Sequence, residues 1–217
     1  MKPFYWLSHW IVSTYFKIFY RHKVFGRENI PQGKAIIAPN HTSFLDPPLV
    51  GISCPEEVHF LARKTLFNSP IFSFLINQLN AHPVAGTAQD LVTFKLIHRL
   101  LNENKKIVLF PEGHRSSDGT LSLIKSGIGM LAMRCQAPII PVYIHGCYDV
   151  WKRSQRFPKL TGKTACVFGS PIKPEQFSHL PKKEAQEAMG QSVKESIEAL
   201  KLWYENSADQ PTIKSSN

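Results

Sequence analysis

Short apolar runs alternate with amphipathic stretches along most of the chain. Five of these runs predict strands, at 34–39, 58–62, 105–110, 137–144 and 164–169, and the segment 24–33 predicts a short strand followed by a turn. Three stretches between or after them have apolar residues at helical spacing, at 89–104, 121–135 and 180–203. Strands separated by helices predict an α/β fold, here one domain over 24–205 with a mixed, largely parallel sheet flanked by helices.

Two of these segments carry more specific expectations. The run at 137–144 contains Pro138 and Pro141, which cannot donate a ladder hydrogen bond, so we place this strand at a sheet margin or bulge. The helix at 180–203 alternates Glu and Lys, which is typical of a solvated face. Only the polar stretch at 206–217 is typical of a disordered tail.

The uncharged segment 65–81 predicts a mostly apolar helix that is kinked at Pro70. Its large apolar side chains recur near helical spacing, at Phe67, Ile71, Phe74, Leu75 and Leu79. Such a helix most often belongs to the core, and that is our expectation. The alternative is a surface that faces a membrane or lines an acyl-chain site.

The first 23 residues are crowded with aromatic side chains, and Glu28 is the first acidic residue. Polar residues interrupt the segment too often for a spanning helix, and the small-residue cleavage site of a signal peptide is missing. We therefore predict an amphipathic helix over 1–23 that lies in the headgroup region of a membrane, with its aromatics sunk and its cations at the lipid phosphates. This places the protein at the cytoplasmic face of a membrane, as a peripheral or monotopic protein. The alternative is a helix packed on the protein's own core.

The chain carries a formal net charge of +10. Residues 1–180 hold 21 Lys and Arg against 10 Asp and Glu, whereas residues 181–217 hold 5 against 6, so the basic excess belongs to the folded body. Anionic lipid, phosphorylated substrates and nucleic acid are the partners such a charge attracts. We expect no nucleic acid, because the aromatics are concentrated in the first twenty residues and no recognition motif is present.

The four cysteines are scattered, without C-x-x-C spacing or a histidine at ligand spacing. They are typical of reduced, mostly buried thiols in an intracellular protein. We expect neither a disulfide framework nor a metal site.

The stretch 40–46, N-H-T-S-F-L-D, follows the predicted strand at 34–39 and presents His41 and Asp46 five positions apart. A carboxylate that accepts from Nδ1–H fixes the histidine tautomer and leaves Nε2 free as a base. Pro47 forces Asp46 into an extended or N-cap position. The alternative is that Asp46 only caps a helix and His41 is an ordinary loop residue.

A second polar stretch, F-P-E-G-H-R-S at 110–116, follows the strand at 105–110. Open α/β sheets bind ligands at the carboxyl ends of their strands. Gly113 lets the backbone approach a ligand, Arg115 offers a bidentate phosphate donor, and Lys125 offers a second cation. Taken alone, this stretch also fits an ordinary turn with a surface arginine.

Together, N-H-x-S-x-x-D and, about seventy residues later, F-P-E-G-x-R-S resemble the glycerolipid acyltransferase family, specifically the 1-acylglycerol-3-phosphate acyltransferases. The resemblance covers roughly residues 20–175. It implies transfer of a fatty acyl group from an acyl thioester to the sn-2 hydroxyl of lysophosphatidate, giving phosphatidate. The thioester would be acyl-CoA or acyl carrier protein, which are co-substrates, and the reaction would need no cofactor or metal.

The same resemblance assigns roles to individual residues. His41 is the implied catalytic base and Asp46 orients it. Glu112, Gly113 and Arg115 would line the glycerol phosphate pocket. The segment Ile139, Ile140 and Pro141 matches the fourth motif of the family, near the acyl donor.

The chain departs from the family pattern in two places near the phosphate pocket. His114 stands where a threonine is usual, and the segment 83–86, P-V-A-G, lacks the arginine that usually follows a Pro-Val-like pair. We therefore expect Arg115 to hold the phosphate with help from Lys125 or another cation. The rival functions are acylation of glycerol 3-phosphate or of a lysophospholipid, and lipid binding at a membrane without catalysis.

Overall fold

The computed structural model describes residues 3–85, 91–122, 124 and 127–208. Its strands are β1 (Lys23–Phe25), β2 (Ala35–Pro39), β3 (Val58–Arg63), β4 (Ala81–Val84), β5 (Lys106–Val108), β6 (Ile139–His145) and β7 (Ala165–Phe168). They form one sheet in the order β1-β7-β6-β2-β5-β3-β4. Every neighbouring pair is parallel except β6 and β7, which are antiparallel. The predicted mixed, largely parallel α/β sheet is confirmed.

Helices cover both faces of this sheet. They are α1 (Pro3–Phe19), α2 (Asp46–Ser53), α3 (Pro70–Gln78), α4 (Leu91–Asn102), α5 (Gly127–Cys135), α6 (Cys147–Val150) and α7 (Lys182–Ala208). One side of the core joins the sheet to α4, α5 and α7, and the other joins it to α1 and α2. All five residues of β2 are buried, because a central parallel strand is covered on both faces.

The predicted helices at 89–104, 121–135 and 180–203 exist with shifted ends. In α4, Ile97 and Leu101 are buried as expected, but Leu91 is exposed. In α7, Met189 and Val193 are buried, so the helix has a core face as well as the predicted solvated one. It extends to Ala208, and most of the tail predicted at 206–217 lies outside the described residues.

The expectation that the proline-containing strand lies at a sheet margin is wrong. This strand, β6, pairs with β2 on one side and β7 on the other. The Pro141 carbonyl accepts a hydrogen bond from the Gly169 N–H, at 2.9 Å, one residue beyond the end of β7. Pro141 has no N–H to donate, but its neighbour on that side lies beyond the end of β7. A central strand therefore tolerates the proline here.

The expectation that the apolar segment 65–81 packs into the core is also wrong. A short 3₁₀ turn at Lys64–Phe67 precedes α3, which begins at Pro70 instead of kinking there. The helix lies beside the edge strand β4, and none of its residues is buried. Ile71 is 85% exposed and Phe74 63% exposed.

Helix α1 has one face in the core and one in solvent. Phe16 is buried, and so is Tyr5, whose hydroxyl accepts a hydrogen bond from the Val58 N–H that begins β3. The opposite stripe is exposed and apolar, comprising Leu7, Trp10, Ile11 and Ile18. Within the described part of the chain, no helix has both the length and the apolarity needed to cross a bilayer.

Candidate active site

The His41 turn lies at the carboxyl end of β2, in the middle of the sheet. His41 Nδ1 and Asp46 Oδ2 are 2.8 Å apart, and the same oxygen accepts hydrogen bonds from the backbone N–H groups of Thr42 and Ser43. The Asp46 carboxylate is fully buried. Asp46 is the first residue of α2, and Leu45 takes the N-cap position, so the predicted N-cap placement of Asp46 is one residue off.

These contacts fix the tautomer of His41. An ionised carboxylate can only accept hydrogen bonds, so the proton between His41 and Asp46 belongs to Nδ1. Nε2 is then the unprotonated nitrogen, and it carries the lone pair that a general base needs. The His41 ring also stacks on Phe110, with ring centroids 3.9 Å apart, which restricts its rotation.

The other polar residues of the turn hold it to the neighbouring strand and the segment beyond it. The Asn40 amide exchanges two hydrogen bonds with the backbone of Ile144, near the end of β6. The Ser43 hydroxyl donates to the Trp151 carbonyl at 2.7 Å. The asparagine and serine of N-H-x-S-x-x-D therefore position the turn.

Glu112 connects the second polar stretch to the first. Its carboxylate is fully buried, with Oε1 accepting from the His41 N–H at 2.6 Å and Oε2 from the Ser122 N–H at 2.8 Å. The Ser116 N–H in turn donates to the His41 carbonyl. Gly113 has a φ of 73°, a left-handed turn geometry that glycine adopts without strain. In this structure Glu112 braces the His41 turn, and its predicted contact with substrate stays a prediction.

Arg115 lies beside the same turn. Its Cζ atom is 3.7 Å from the centroid of the Phe44 ring, and Phe44 contacts Trp151. Nη1 is buried and has no hydrogen-bond partner among the described residues. Burial, followed by the charges of Arg153 and Arg63, lowers the pKa of Arg115. The positive charges of Arg153 and Arg63 therefore act on Arg115, and such a positive local potential favours an anionic ligand.

The remaining predicted site residues are placed differently. Lys125 lies outside the described residues. Ile139, Ile140 and Pro141 are buried in the central strand β6, where they contribute to the core and do not reach a surface. Their proximity to an acyl donor therefore stays a prediction.

Arg63 and Arg153, whose charges lower the pKa of Arg115, are cations that the motifs did not indicate. Arg63 ends β3 and pairs in register with Val84, within the segment that lacks the family's arginine. Its position at the carboxyl end of a strand was a signal that could have found it. The second lies in a loop, and no local pattern in the sequence indicates its position.

The Cys147 thiol, on which the charge of Asp46 acts, is not activated. Burial, and then the charge of Asp46, raises the pKa of Cys147 well above its ordinary value, so this cysteine is a neutral thiol at physiological pH. All four cysteines are free and buried, as predicted. No three His, Cys, Asp or Glu side chains in the described ranges cluster as a metal site requires.

The fold and this geometry agree with what known proteins show. The model of the acyltransferase family matches residues 21–145, more than half of the chain. The chain belongs to the acyltransferase family. The matched residues include His41, Asp46, Glu112 and Arg115, whereas Arg153 lies beyond them.

Several relatives in this family are 26% to 30% identical to the chain over the residues that align. It is 29% identical to the 1-acyl-sn-glycerol-3-phosphate acyltransferase of Bacillus subtilis, over 87% of this chain and 90% of the relative. It is also 29% identical to human 1-acyl-sn-glycerol-3-phosphate acyltransferase beta, over 68% of this chain but only 55% of that relative. The crystal structure of the 1-acyl-sn-glycerophosphate (LPA) acyltransferase PlsC from Thermotoga maritima superposes with a TM-score of 0.72 at 27% identity, covering 89% of this chain and 79% of that one.

Proposed function

We propose that this acyltransferase moves a fatty acyl group from an acyl thioester to the sn-2 hydroxyl of lysophosphatidate and so makes phosphatidate for phospholipid biosynthesis. The observation that carries the proposal is the His41–Asp46 pair, 2.8 Å apart, beside a group of arginines. The names of the relatives support lysophosphatidate as the acceptor.

The chemistry needs one base and no covalent intermediate on the protein. His41 Nε2 takes the proton of the lipid hydroxyl as its oxygen attacks the thioester carbonyl carbon. Asp46 stabilises the imidazolium that forms. The tetrahedral intermediate then expels the thiolate, the C–S bond breaks, and the imidazolium returns its proton to the leaving sulfur. The products are the new ester and the free thiol, and the base is regenerated.

The arginine group supplies the contact to the phosphate of the acceptor. A guanidinium binds phosphate through two parallel hydrogen bonds, and Arg115 has an unpartnered Nη1 among the described residues. Arg63 and Arg153 add positive charge nearby, in place of the arginine missing at 83–86. Binding of the phosphate relieves the repulsion among these cations, so it favours acceptors with a phosphomonoester.

The donor in this proposal is acyl-CoA or an acylated acyl carrier protein, because both present the same thioester on a phosphopantetheine arm. They are co-substrates and not bound cofactors.

The protein works on a membrane surface, at the cytoplasmic face, as a peripheral or monotopic protein. The support is an exposed apolar face, which comprises Leu7, Trp10, Ile11 and Ile18 of α1 and Ile71, Phe72, Phe74 and Leu75 of α3. Phe4 contacts Phe74, so the two helices adjoin. Exposed aromatic and aliphatic side chains in such number are typical of helices that lie in a lipid interface.

The test is an acyl-transfer assay of the purified protein. Acyl-CoA and acyl carrier protein are each offered with lysophosphatidate, glycerol 3-phosphate or lysophosphatidylcholine, in detergent micelles. We expect turnover with lysophosphatidate to exceed that with lysophosphatidylcholine, which lacks the phosphomonoester, by at least about tenfold, because a charged partner in the site is worth roughly 1.4 kcal/mol or more. Glycerol 3-phosphate has the same phosphomonoester but no acyl chain, so we expect its lower turnover to reflect the lost apolar contact. Equal or higher turnover with another acceptor would reassign the acceptor, and no turnover with any combination would refute the enzyme.

A further inference from the structure

The segment 151–164, between α6 and β7, is strongly basic and partly apolar. It carries five cations and no acidic residue, namely Lys152, Arg153, Arg156, Lys159 and Lys163. It also exposes Phe157 by 69% and Leu160 by 80%. It contains no helix or strand, and we call it the basic loop.

The basic loop connects the active site to the amino-terminal helix. At its start, the Trp151 carbonyl accepts a hydrogen bond from the Ser43 hydroxyl of the catalytic turn. Lys152 forms an isolated antiparallel β-bridge with Ser43. Toward its end, the Lys159 carbonyl accepts the Tyr20 hydroxyl, and the Gly162 N–H donates to the Phe19 carbonyl. The loop is therefore continuous with the carboxyl end of α1.

Local hydrogen bonds give the loop a built conformation. Gln155 accepts from the Lys152 N–H through its side chain, at 3.1 Å, and donates its own N–H to the Lys152 carbonyl. The Trp151 indole donates to the Gln155 carbonyl at 3.2 Å. The Arg156 guanidinium lies 5.2 Å from the centre of the Phe157 ring, so a cation and an aromatic ring are presented together.

We propose that the basic loop binds the surface of an anionic phospholipid bilayer and so seats the active site on its lipid substrate. Cations near an anionic bilayer are attracted to the lipid phosphates, while adjacent aromatic and aliphatic groups enter the interface. The loop offers both, and it adjoins the exposed Ile18 and Phe19 of α1. This inference rests on the proposed acyl transfer to a membrane lipid, and it adds the loop to the membrane contact made by the two helices.

Charge alone would also suit an acidic protein such as an acyl carrier protein. The exposed Phe157 and Leu160, in a loop that is hydrogen-bonded to the end of α1, favour the bilayer. The experiment below separates the two partners.

Three variants of the full chain are compared with the wild type. The first, R156Q/K159Q/K163Q, removes three loop cations but keeps Arg153, which belongs to the phosphate site. The second, F157A/L160A, removes the apolar contacts. The control, K105Q/K182Q/K183Q, removes three exposed cations outside the loop. Lys105 immediately precedes the amino end of β5, and the other two lie at the start of α7.

Binding is measured by co-sedimentation with vesicles of phosphatidylcholine, with and without phosphatidylglycerol, at low and physiological salt. Each cation near an anionic surface is worth about fivefold in partitioning, so we expect the loop triple variant to bind anionic vesicles on the order of 100-fold more weakly, with a reduced salt dependence. F157A/L160A should weaken binding to both kinds of vesicle, and the control should match the wild type.

Acyl transfer in detergent micelles separates this proposal from the function on which it rests. Unchanged micellar activity with acyl-CoA, together with lost vesicle binding, supports the loop as a bilayer contact. Wild-type vesicle binding by the loop triple variant overturns the proposal, whether or not the enzyme is active. If that variant binds vesicles normally but loses activity with acyl carrier protein alone, the loop is a carrier-protein site and the proposal is wrong. A wild type without any acyl transfer refutes the proposed function, and loop-dependent vesicle binding would still stand.

Discussion

Two histidines in this fold have opposite surroundings. His41 has one nitrogen on a buried carboxylate and the other left for a ligand. His22 has both nitrogens within hydrogen-bond distance of hydroxyls, with Nδ1 at 3.1 Å from Thr164 Oγ1 and Nε2 at 2.9 Å from Ser53 Oγ. The pKa of His22 is lowered to about 4, and burial of the ring is the largest cause. The first is built to exchange a proton and the second to stay neutral.

The comparison shows what distinguishes a histidine that can accept a proton from a histidine that is held neutral in this chain. A carboxylate stabilises the imidazolium, so the ring can accept a proton during the reaction. Hydroxyls satisfy the neutral ring without compensating a positive charge, and burial then disfavours protonation. The two sites differ more in the chemical type of the histidine's hydrogen-bond partners, and in whether its second nitrogen is free, than in the exposure of the ring.

The largest expected effect is the loss of turnover in His41→Ala. Removing a general base lowers kcat by about 10²- to 10⁴-fold. Because Asp46 keeps its two backbone donors, we expect the free energy of unfolding to change by less than about 2 kcal/mol. Single-turnover acyl transfer to lysophosphatidate, with denaturant unfolding as the control, measures both. Wild-type turnover would remove His41 from the mechanism.

The second effect is the pH dependence of the folding stability that His22 contributes. The unfolded histidine, with a pKa of about 6.5, binds a proton before the folded one does, so stability is complete above pH 6.5 and is lost as the pH falls toward 4. The loss amounts to about 3 kcal/mol.

His22→Gln removes this contribution. The stability difference between wild type and variant, from urea unfolding at pH 7 and pH 4, should shrink by about that amount. The kcat of His22→Gln at pH 7 should stay within about twofold of the wild type. A difference in stability that does not depend on pH would show that His22 is not held neutral.

The third effect concerns the brace behind His41. Glu112→Gln replaces one of two acceptor oxygens by an NH₂ group that faces a backbone N–H, so one buried donor loses its partner. We expect a loss of about 2 kcal/mol in the free energy of unfolding and a lower kcat. Glu103→Gln, on the exposed residue that follows α4, is the matched control. A lower kcat with unchanged stability would instead favour direct contact of Glu112 with substrate.

The smallest effect belongs to the phosphate side of the site. Arg115→Ala should raise the KM for lysophosphatidate by about tenfold with a smaller change in kcat, because it removes binding that the ground state and the transition state share. Arg115→Lys should recover only part of this, since a lysine lacks the bidentate geometry. Steady-state kinetics in micelles measures both, and an unchanged KM would exclude Arg115 from the phosphate pocket.

The contact between His41 and Asp46 could be predicted from the sequence because it is local. Five positions and a following proline suffice to bring His41 and Asp46 together at the end of a strand. The bracing role of Glu112 could not be predicted, because it depends on hydrogen bonds to residues 71 and 10 positions away along the chain. Motifs specify residue types, and only the fold specifies which atoms meet.

The two wrong predictions about the fold have the same origin. Apolarity predicted a buried α3, but burial depends on what covers a helix, and α3 lies beside the edge strand β4. The prolines predicted that β6 lies at the margin of the sheet. The free-energy cost of a proline in a strand depends, however, on whether the neighbouring strand needs the missing N–H donor. At Pro141 the neighbouring strand has ended, and only its carbonyl is used.

One oxygen of Asp46 serves three donors, two of which are peptide groups in a buried turn. Rotating the carboxylate away from either peptide group would leave a buried N–H unsatisfied, at a cost of about 1–3 kcal/mol. The carboxylate thus has a single available orientation, and its hydrogen bond to His41 fixes the orientation of the imidazole. A lipid alcohol that reaches this enzyme meets a base whose direction was decided when the chain folded.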